Sequence, residues 1–328
     1  MFCENMSLDD LARSLREFEG VTRKHAIGPL VKWFLPDDDQ DNFGEDAAII
    51  NRGPESLLIA ADGIWSKLMD ADSEWAGYCS ILVNIHDIVA MGGTPLAMVD
   101  VLSASSLEVS NHVLAGMSEA VKKFGIPVVG GHIHPDTDYN ALDVAILGVV
   151  KSDSIVYSSK ADEDEDVIAA VDLDGRVHPS CSLCWDTTTM RRPEILKKQI
   201  GVMKILGEQH IVTSGKDISN PGMLGTLGML LEVSRVGALI DLDSIPIPEG
   251  VEMQHWLKMY PGMGFIVTAN PENTKEVLKV FEAAEMAAAV IGKITDTNKL
   301  EIAGNNEKAT VFDFNFQTIM GIKKADCE

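Results

Sequence analysis

The sequence predicts a two-domain protein of the mixed α/β class. Its 328 residues exceed the length at which one hydrophobic core usually keeps growing. Apolar residues make up 46% of the chain, which is enough to fill two cores. Along the chain, helical periodicity alternates with short runs rich in β-branched residues. We therefore expect two α/β halves joined near residues 151–166.

The first half shows the clearer alternation of helices and strands. Stop signals support one of its helices, because Gly125 and Pro127 follow the periodic stretch directly. The predicted helices are 8–18, 74–91 and 111–124, and the predicted strands are 47–50, 57–61, 97–102 and 143–150.

The second half repeats this alternation with a longer irregular stretch near its start. We expect a loop that contains Cys181 and Cys184 between the first strand and the first helix. The predicted strands are 167–171, 236–240, 264–268 and 287–294, and the predicted helices are 193–206, 223–233 and 272–284.

Asn84 and Asp87 are the most informative polar residues of the chain. They are three residues apart on the predicted helix 74–91, so the amide and the carboxylate share one helix face. The helix ends at Gly92-Gly93, and Pro95 follows. This pattern fits a rigid ligand site, and it fits equally a helix with a polar edge and an ordinary glycine terminus.

Three further carboxylate signals lie at the ends of apolar runs. Glu45-Asp46 precedes a short strand, Asp62 ends the next strand, and Asp217 lies in KDISNPG before a glycine-punctuated helix. Each aspartate alone could be a turn former or a helix N-cap. Together they indicate a cation site.

The overall charge decides what kind of phosphate site is possible. The formal net charge is −23, which opposes binding of nucleic acid, and neither common glycine-rich phosphate loop occurs in the sequence. Mg²⁺ takes oxygen ligands and can carry nucleotide phosphates on scattered carboxylates. A nucleotide site in this chain therefore requires a metal ion.

The motifs, in their order along the chain, resemble those of the aminoimidazole ribonucleotide (AIR) synthetase superfamily. The resemblance covers nearly the whole chain, and it is closest to the AIR-synthase-related proteins called methanogenesis marker 2. It rests on GEDAAII, the ADG ending at Gly63, NIHDIVAMGGTPLAMVDVL, VVGGH, ALDVAILGVV and KDISNPGMLGTLGMLLE. It is strengthened by FEGVTRKHAI, DADSEWAGYCSILVN, WDTTTM and KMYPGMGFIVTA.

The resemblance implies a homodimeric, ATP- and Mg²⁺-dependent enzyme with an AIR-synthase-like fold. An N-terminal domain, residues 1–155, would carry the ATP site and the dimer interface, and residues 156–328 would form the C-terminal domain. By the same resemblance, five residues are metal ligands: Glu45, Asp46, Asp62, Asp87 and Asp217. Nucleotide contacts are implied for Asn84, Asp87, Gly92, Gly93, Gly130, Gly131, His132 and Asp217.

His132 departs from the pattern of thiamine-monophosphate kinase, which has an acidic residue after the two glycines. The histidine resembles selenophosphate synthetase at this point, yet the reactive cysteine loop of that enzyme is not recognisable near Cys3. Because Mg²⁺ prefers oxygen ligands, we expect His132 to contact phosphate or substrate and not the metal.

Arg23 and Lys24 form a compact basic cluster near the start of an acidic chain. Phosphoryl transfer gains from cations that neutralise the transferred group, so this pair is a candidate for catalysis. It could equally be an ordinary surface of a helix N-terminus. Further on, the acidic stretch 37–41 is interpreted as a flexible segment before the GEDAA motif.

The five cysteines argue against a secreted disulfide framework, since their number is odd. Cys181 and Cys184 form a CxxC motif after His178; a zinc site would need a fourth ligand, and reduced thiols are the simpler interpretation. The apolar runs are too short to cross a bilayer, and the acidic N-terminus does not resemble a signal peptide. We expect a cytoplasmic protein without membrane partners.

The sequence therefore favours an ATP- and Mg²⁺-dependent phosphoryl-transfer enzyme, kinase-like or ligase-like, acting on a small molecule or cofactor precursor. A nucleotide-binding maturation or scaffold protein that has lost turnover is the alternative. A zinc-dependent interaction module built on the CxxC motif is a weaker third interpretation. The motifs are shared among enzymes with different acceptors, so they do not identify the substrate.

Overall fold

The computed structural model describes residues 6–34, 43–260 and 262–322. The predicted flexible stretch 37–41 lies outside these residues. The chain forms two compact units, each built from separated segments. Unit 1 contains Met1–Glu45, Val156–Asp174 and Gln209–Glu328, and unit 2 contains Asp46–Ile155 and Gly175–Glu208.

Unit 2 contains a five-stranded sheet in the order β1-β2-β5-β3-β4. Strands β3 and β4 are parallel, joined by a crossover helix as parallel strands require, and the other pairs are antiparallel. The strands are β1 (Ala48–Asn51), β2 (Glu55–Gly63), β3 (Thr94–Ser103), β4 (Val128–His134) and β5 (Ala141–Lys151). The helices are α4 (Ser66–Ala71), α5 (Ser73–Ala90), α6 (Leu107–Phe124), α7 (Pro193–Gln199) and α8 (Val202–Glu208).

The two faces of this sheet differ in burial because successive side chains point to opposite sides of a strand. One face packs against α5 and is closed by buried side chains such as Leu58, Met98 and Ile146. The other face, here called the open face, carries Ile50, Ile59, Val99 and Val101, each between 40% and 45% exposed.

Local signals explain where the two long helices begin and end. The Asp72 side chain accepts a hydrogen bond from the Trp75 N–H at 2.9 Å and caps α5, and the Ser106 hydroxyl caps α6 in the same way. Each helix is closed by a glycine in the left-handed region, Gly92 at φ 76° and Gly125 at φ 76°. The stop signal at Gly125 is thus confirmed.

Unit 1 contains a seven-stranded sheet in the order β14-β13-β10-β12-β6-β11-β9. Its strands are β6 (Asp166–Val171), β9 (Ser214–Asp217), β10 (Gly237–Asp241), β11 (Gly264–Ala269), β12 (Ala287–Thr295), β13 (Lys299–Gly304) and β14 (Glu307–Asp313). Its helices are α1 (Leu8–Arg16), α2 (Glu19–Thr22), α3 (Ile27–Phe34), α9 (Gly222–Ser234), α10 (Met253–Trp256) and α11 (Thr274–Ala283), with 3₁₀ turns at Arg23–Ala26 and Leu242–Ser244. Every residue of β6 is buried, as expected for a central strand.

The glycines of α9 allow close packing inside unit 1. A methyl group on Gly225 would collide with Val21, and one on Gly228 would meet Phe312 and Ile319. The close approaches at these two glycines are therefore to side chains of the same unit. At the end of α9, the Glu232 carboxylate accepts hydrogen bonds from the backbone N–H groups of 319–321 at 2.8–3.0 Å.

The predicted division after residue 155 coincides with one boundary between the units, at Ile155 and Val156. Two segments group differently from contiguous domains 1–155 and 156–328. The N-terminal segment belongs to unit 1 because α1 packs on β14, where the Arg16 guanidinium donates to the Val311 carbonyl at 3.0 Å. Residues 175–208 belong to unit 2, in which α7 packs on α6.

The predicted helix 8–18 is α1, which ends two residues earlier, at Arg16. Two other local predictions were wrong. The stretch 193–206 divides into two helices, α7 and α8, since the Gly201 N–H turns back to the Lys198 carbonyl. The expected loop around Cys181 and Cys184 is a hairpin of two strands, β7 (Arg176–His178) and β8 (Cys181–Asp186).

Besides β7 and β8, four strands of the described residues were not predicted: β4, β9, β13 and β14. Glycines interrupt the apolar pattern of β4, and β9 has only four residues, so neither gives a clear period. In the part of the chain that the structure describes, no helix combines the length and apolarity that crossing a bilayer demands.

Candidate functional site

Asn84 and Asp87 lie on the C-terminal half of α5. Asn84 is fully buried, and its side-chain N–H donates to the Ser80 carbonyl at 2.8 Å. The Asn84 Oδ1 atom is buried and has no hydrogen-bond partner among the described residues. Asp87 is half-buried. The helix therefore presents a carboxylate one turn from an amide oxygen that still requires a donor.

Asp46 is brought to the same end of α5. The next residue, Ala47, is buried, and its backbone N–H donates to the Met91 sulfur at 3.1 Å. Met91 follows Asp87 by four residues, which is one helical turn. Asp46 and Asp87 are thus held on neighbouring segments of unit 2 by rigid backbone.

Asp62 is the second-last residue of β2 and is exposed. Strand β1 begins with Ala48 opposite Ile59, so Asp46 and Asp62 both lie within three residues of this pair. Asp62 is paired with Val144 of β5, which is paired on its other side with Asp100 of β3. Paired residues share a face, so Asp62 and Asp100 face the same side, about 10 Å apart across two strand spacings.

Asp100 was not among the predicted site residues, although it lies inside the motif TPLAMVDVL. It is half-buried, and burial raises the pKa of its carboxyl. Gly131 of β4 lies against it, because a methyl group at position 131 would collide with the Asp100 carboxylate and carbonyl. A cavity of about 200 Å³ opens here, lined by Asp100, Leu102, Leu114, Gly131, His132 and Ile133.

Gly130, Gly131 and His132 belong to β4 and are exposed. The His132 ring lies 4.6 Å from that of His134, edge to face. His132 is paired with Val101, so it stands on the open face of the sheet. The structure thus separates His132 from the Asn84–Asp87 face of α5.

Gly92 and Gly93 are buried at the end of α5. Gly92 has a positive φ, and the Gly93 N–H bonds to the Ile88 carbonyl at 3.0 Å. A side chain on Gly93 would collide with Leu58 and Ile88. Both glycines have a structural explanation as the helix terminus, and their predicted contact with nucleotide stays a prediction.

In unit 1, Ser158 connects two charged residues of the predicted motifs. Its backbone N–H donates to the Glu45 carboxylate, and its hydroxyl lies 3.5 Å from the Lys216 ammonium. Lys216 is only 4% exposed and also donates to the Gly44 carbonyl at 3.3 Å. The Glu45 Oε1 atom is buried without a hydrogen-bond partner in the described residues. Burial, and after it the Glu45 charge, raise the pKa of Tyr157. Asp217, 5% exposed, follows Lys216 at the end of β9.

Arg23 and Lys24 begin a 3₁₀ turn directly after α2. Arg23 is exposed and Lys24 is half-buried. The preceding helix contacts the loop after Asp217, because a methyl group on Gly20 would collide with the Asn220 carbonyl. Unit 1 therefore holds this basic turn next to the KDISNPG loop.

The predicted metal ligands do not form a ready-made cluster. Within residues 6–34, 43–260 and 262–322, no group of three or more His, Cys, Asp or Glu side chains is arranged to hold a metal ion. The carboxylate chemistry still fits Mg²⁺, which commonly takes one or two protein carboxylates and completes its shell with phosphate oxygens and water.

Sequence reasoning missed Asp100, Ser158 and Lys216. Two of them carried a signal, since Asp100 lies in NIHDIVAMGGTPLAMVDVL and Lys216 directly precedes Asp217 in KDISNPGMLGTLGMLLE. Ser158 carried none. It becomes relevant only because residue 157 is paired with Ser214, next to β9.

The comparisons with known proteins agree with the motif order. The family model described as AIR synthase related protein, N-terminal domain, matches residues 44–150, and its C-terminal counterpart matches residues 164–305. An uncharacterized protein of Methanocaldococcus jannaschii is 45% identical over 323 residues, which cover 96% of this chain and 100% of that protein.

Solved structures share the fold. PurL of Thermotoga maritima complexed with ATP gives a TM-score of 0.76 at 18% identity, over 94% of this chain and 52% of that chain. This chain therefore spans about half the length of that PurL chain. AaThiL complexed with AMPPCP and TMP gives a TM-score of 0.65 at 18% identity, over 87% of this chain and 95% of that chain.

Proposed function

The chain belongs to the AIR synthase related protein family, and from this premise we propose that it is an ATP- and Mg²⁺-dependent phosphoryl-transfer enzyme. The reaction is kinase-like or ligase-like and uses a small molecule or a cofactor precursor as acceptor. The nucleotide-bound states of the fold relatives PurL and AaThiL support the ATP part. We also propose that the chain belongs to the methanogenesis marker 2 group of this family.

The observation that carries the proposal is the end of α5. Asp87 and the segment of Asp46 meet there, and the Asn84 Oδ1 atom is buried without a partner in the described part of the chain. An unsatisfied buried oxygen costs about 1–3 kcal/mol, a cost that a bound donor would offset. A water molecule on Mg²⁺, or a protonated group of the ligand, is such a donor.

The charge of the protein gives Mg²⁺ its role. A triphosphate is repelled by a chain with a net charge of −23. Bound Mg²⁺ would supply the positive charge that neutralises phosphate oxygens during transfer. In this proposal Asp46 and Asp87 hold the ion, and Asp62 belongs to the same ligand set.

The other motif residues keep the roles that the resemblance implies. Glu45 and Asp217 remain proposed metal ligands, and Arg23 and Lys24 remain proposed cations for the transferred group. Gly130, Gly131 and His132 are proposed to contact phosphate or substrate. Lys216 joins this set because it is a buried ammonium in the KDISNPG motif, beside Ser158.

We also propose a cytoplasmic homodimer that pairs two open faces. Ile59 on β2 and Val99 and Val101 on β3 are large apolar side chains, each at least 40% exposed, on one face of the sheet, where β5 lies between these two strands. Contiguous apolar surface of this kind is typical of an interface between protein chains. His132 lies on the same face, which agrees with a nucleotide near the subunit interface.

The direct test compares Asp87→Asn with the wild type by calorimetric titration of ATP, with and without Mg²⁺. Mutation of a residue that hydrogen-bonds to a metal ligand typically lowers metal affinity about ten- to 100-fold. Removing the charge of a ligand itself should cost at least as much, so we expect Mg·ATP affinity to fall by about that factor or more. ATP without Mg²⁺ is expected to bind weakly to both proteins.

Asp70→Asn is the matched control, because Asp70 is an exposed aspartate on α4 of the same unit. It is expected to bind Mg·ATP like the wild type. Equal affinity of Asp87→Asn and the wild type would contradict the metal site. Steady ATP consumption with cell-extract metabolites supports the enzyme, whereas Mg·ATP binding without consumption favours the scaffold alternative.

A further inference from the structure

The hairpin of β7 and β8 brings the two cysteines of the CxxC motif into contact. Val177 is paired with Trp185, but the next residue, His178, is paired with Cys181. Residues 182–184 therefore bulge out of β8, and the bulge folds Cys184 back on Cys181. The two Sγ atoms are 2.7 Å apart, and both thiols are free.

The two thiols have different environments. Cys181 is half-buried, whereas Cys184 is fully buried. The hydrogen bond from Cys184 lowers the pKa of Cys181 to about 6, against a usual value of 9. The same contact, together with burial, raises the pKa of Cys184. At neutral pH, Cys181 is thus the thiolate, and Cys184 is the thiol that stabilises it.

A cavity of about 270 Å³ lies beside the hairpin. His178 lines it and stacks on Trp75 with ring centres 4.3 Å apart. Three carboxylates and one guanidinium also line it, from Asp72, Glu74, Glu119 and Arg176. Groups of both signs suit the ammonium and carboxylate groups of an amino-acid-like molecule.

We propose that Cys181 and Cys184 form a thiol–disulfide exchange site that accepts a low-molecular-weight disulfide with amino-acid-like ends. Cys181 is the attacking thiolate and Cys184 the resolving thiol. The cavity beside the hairpin receives the charged end of the oxidant.

The exchange balances in two steps. The Cys181 sulfur attacks one sulfur of the oxidant, whose S–S bond breaks and releases one half as a thiolate. Capping of Cys181 removes the thiolate that Cys184 stabilised, so Cys184 passes its proton to the released thiolate. The Cys184 sulfur then attacks Cys181 and expels the second half, which takes a proton from water. The protein loses two electrons, and the oxidant becomes two thiols.

Little movement is needed to reach the oxidised state. A disulfide bond is about 2.05 Å long, so the two sulfur atoms approach by less than about 1 Å. Residues 182–184 already form the bulge that a bridge between positions 181 and 184 must close. Cys79 is also close enough to affect both thiols electrostatically, but it is 1% exposed and lies on α5.

The test uses the full-length reduced protein in the absence of oxygen, with cystine as the oxidant. Thiols are blocked by N-ethylmaleimide at set times and located by peptide mass spectrometry. We expect a cross-linked Cys181–Cys184 peptide from the wild type. Cys184→Ser is expected to accumulate half-cystine on Cys181, and Cys181→Ser is expected to remain unmodified at Cys184. Retention of both thiols in the wild type would overturn the proposal.

Two controls keep the result interpretable. Cys79→Ala, checked for folding by circular dichroism, is expected to form the same cross-link; its failure in a folded protein would overturn the assignment of the pair. The rate of each disulfide with the protein is divided by its rate with a free thiol in solution. On this relative scale, hydroxyethyl disulfide, which is uncharged, is expected to react several-fold more slowly than cystine. Equal relative rates would overturn the role of the cavity.

Discussion

The side-chain N–H of Asn84 donates to the Ser80 carbonyl one turn earlier in α5, at 2.8 Å, and this bond fixes the direction of the amide. The Oδ1 atom is consequently held away from Ser80, in a buried position without a partner in the described residues. A buried oxygen without a hydrogen-bond partner lowers the stability of the folded protein.

Asn84→Leu is expected to separate stability from binding. Leucine keeps the branch at Cγ and removes the unsatisfied oxygen, which offsets the cost of its larger methyl groups, so the melting temperature of the ligand-free protein should change little. Mg·ATP affinity should fall about tenfold or more, because the ligand loses its acceptor. Thermal unfolding and calorimetry measure the two effects. Asn111→Leu, at an exposed position of α6, should change neither; a large loss of stability in Asn84→Leu would contradict this account.

Gly131→Ala is expected to destabilise unit 2 by about 1–3 kcal/mol, since its methyl group collides with the carboxylate and carbonyl of Asp100. The matched control is Gly130→Ala, whose methyl group meets only Val99, at 3.8 Å. That variant should lie within about 0.5 kcal/mol of the wild type. Urea unfolding measures both values, and equal stabilities for the two variants would refute the tight contact at Gly131.

Val101→Lys is expected to prevent dimer formation. Val101 is 44% exposed on the open face, and pairing two such faces would bury the introduced ammonium without a partner. Light scattering after size exclusion gives the mass of the wild type and the variant. Leu107→Lys replaces a residue that is 72% exposed at the start of α6 and should leave the dimer intact. A variant Val101→Lys that remains dimeric would place the interface elsewhere.

The pH dependence of Cys181 alkylation follows from its lowered pKa. The thiolate is the reactive form, so the rate with iodoacetamide should rise with pH and reach half its maximum near pH 6, below the usual value of 9. In Cys184→Ser the curve should move to higher pH, because the thiol that contributes most to the lowered pKa is gone. The rate is measured by mass spectrometry at Cys181. Identical curves for the two proteins would rule out the contact as the cause.

The sequence predicted the long elements of the fold because their signals are local. Helix α5 was placed within one residue at each end, since its apolar pattern and its glycine terminus lie within the segment itself. The hairpin of β7 and β8 was missed because a three-residue bulge destroys the alternation by which strands are identified. Strand β4 was missed for a similar reason, since Gly130 and Gly131 contribute no side chain to the pattern.

By itself, the sequence determined the class of the protein, the order of its motifs and the net charge of −23 that opposes the binding of phosphate groups. These follow from residue type and spacing, which are known from the sequence without its fold. Only the tertiary structure decided that the Asp46 segment meets the end of α5, that Asp100 lies beside Gly131, and that Ser158 connects Glu45 with Lys216. Such contacts join residues far apart in the chain, and their distances depend on strand register and packing, which no local pattern encodes.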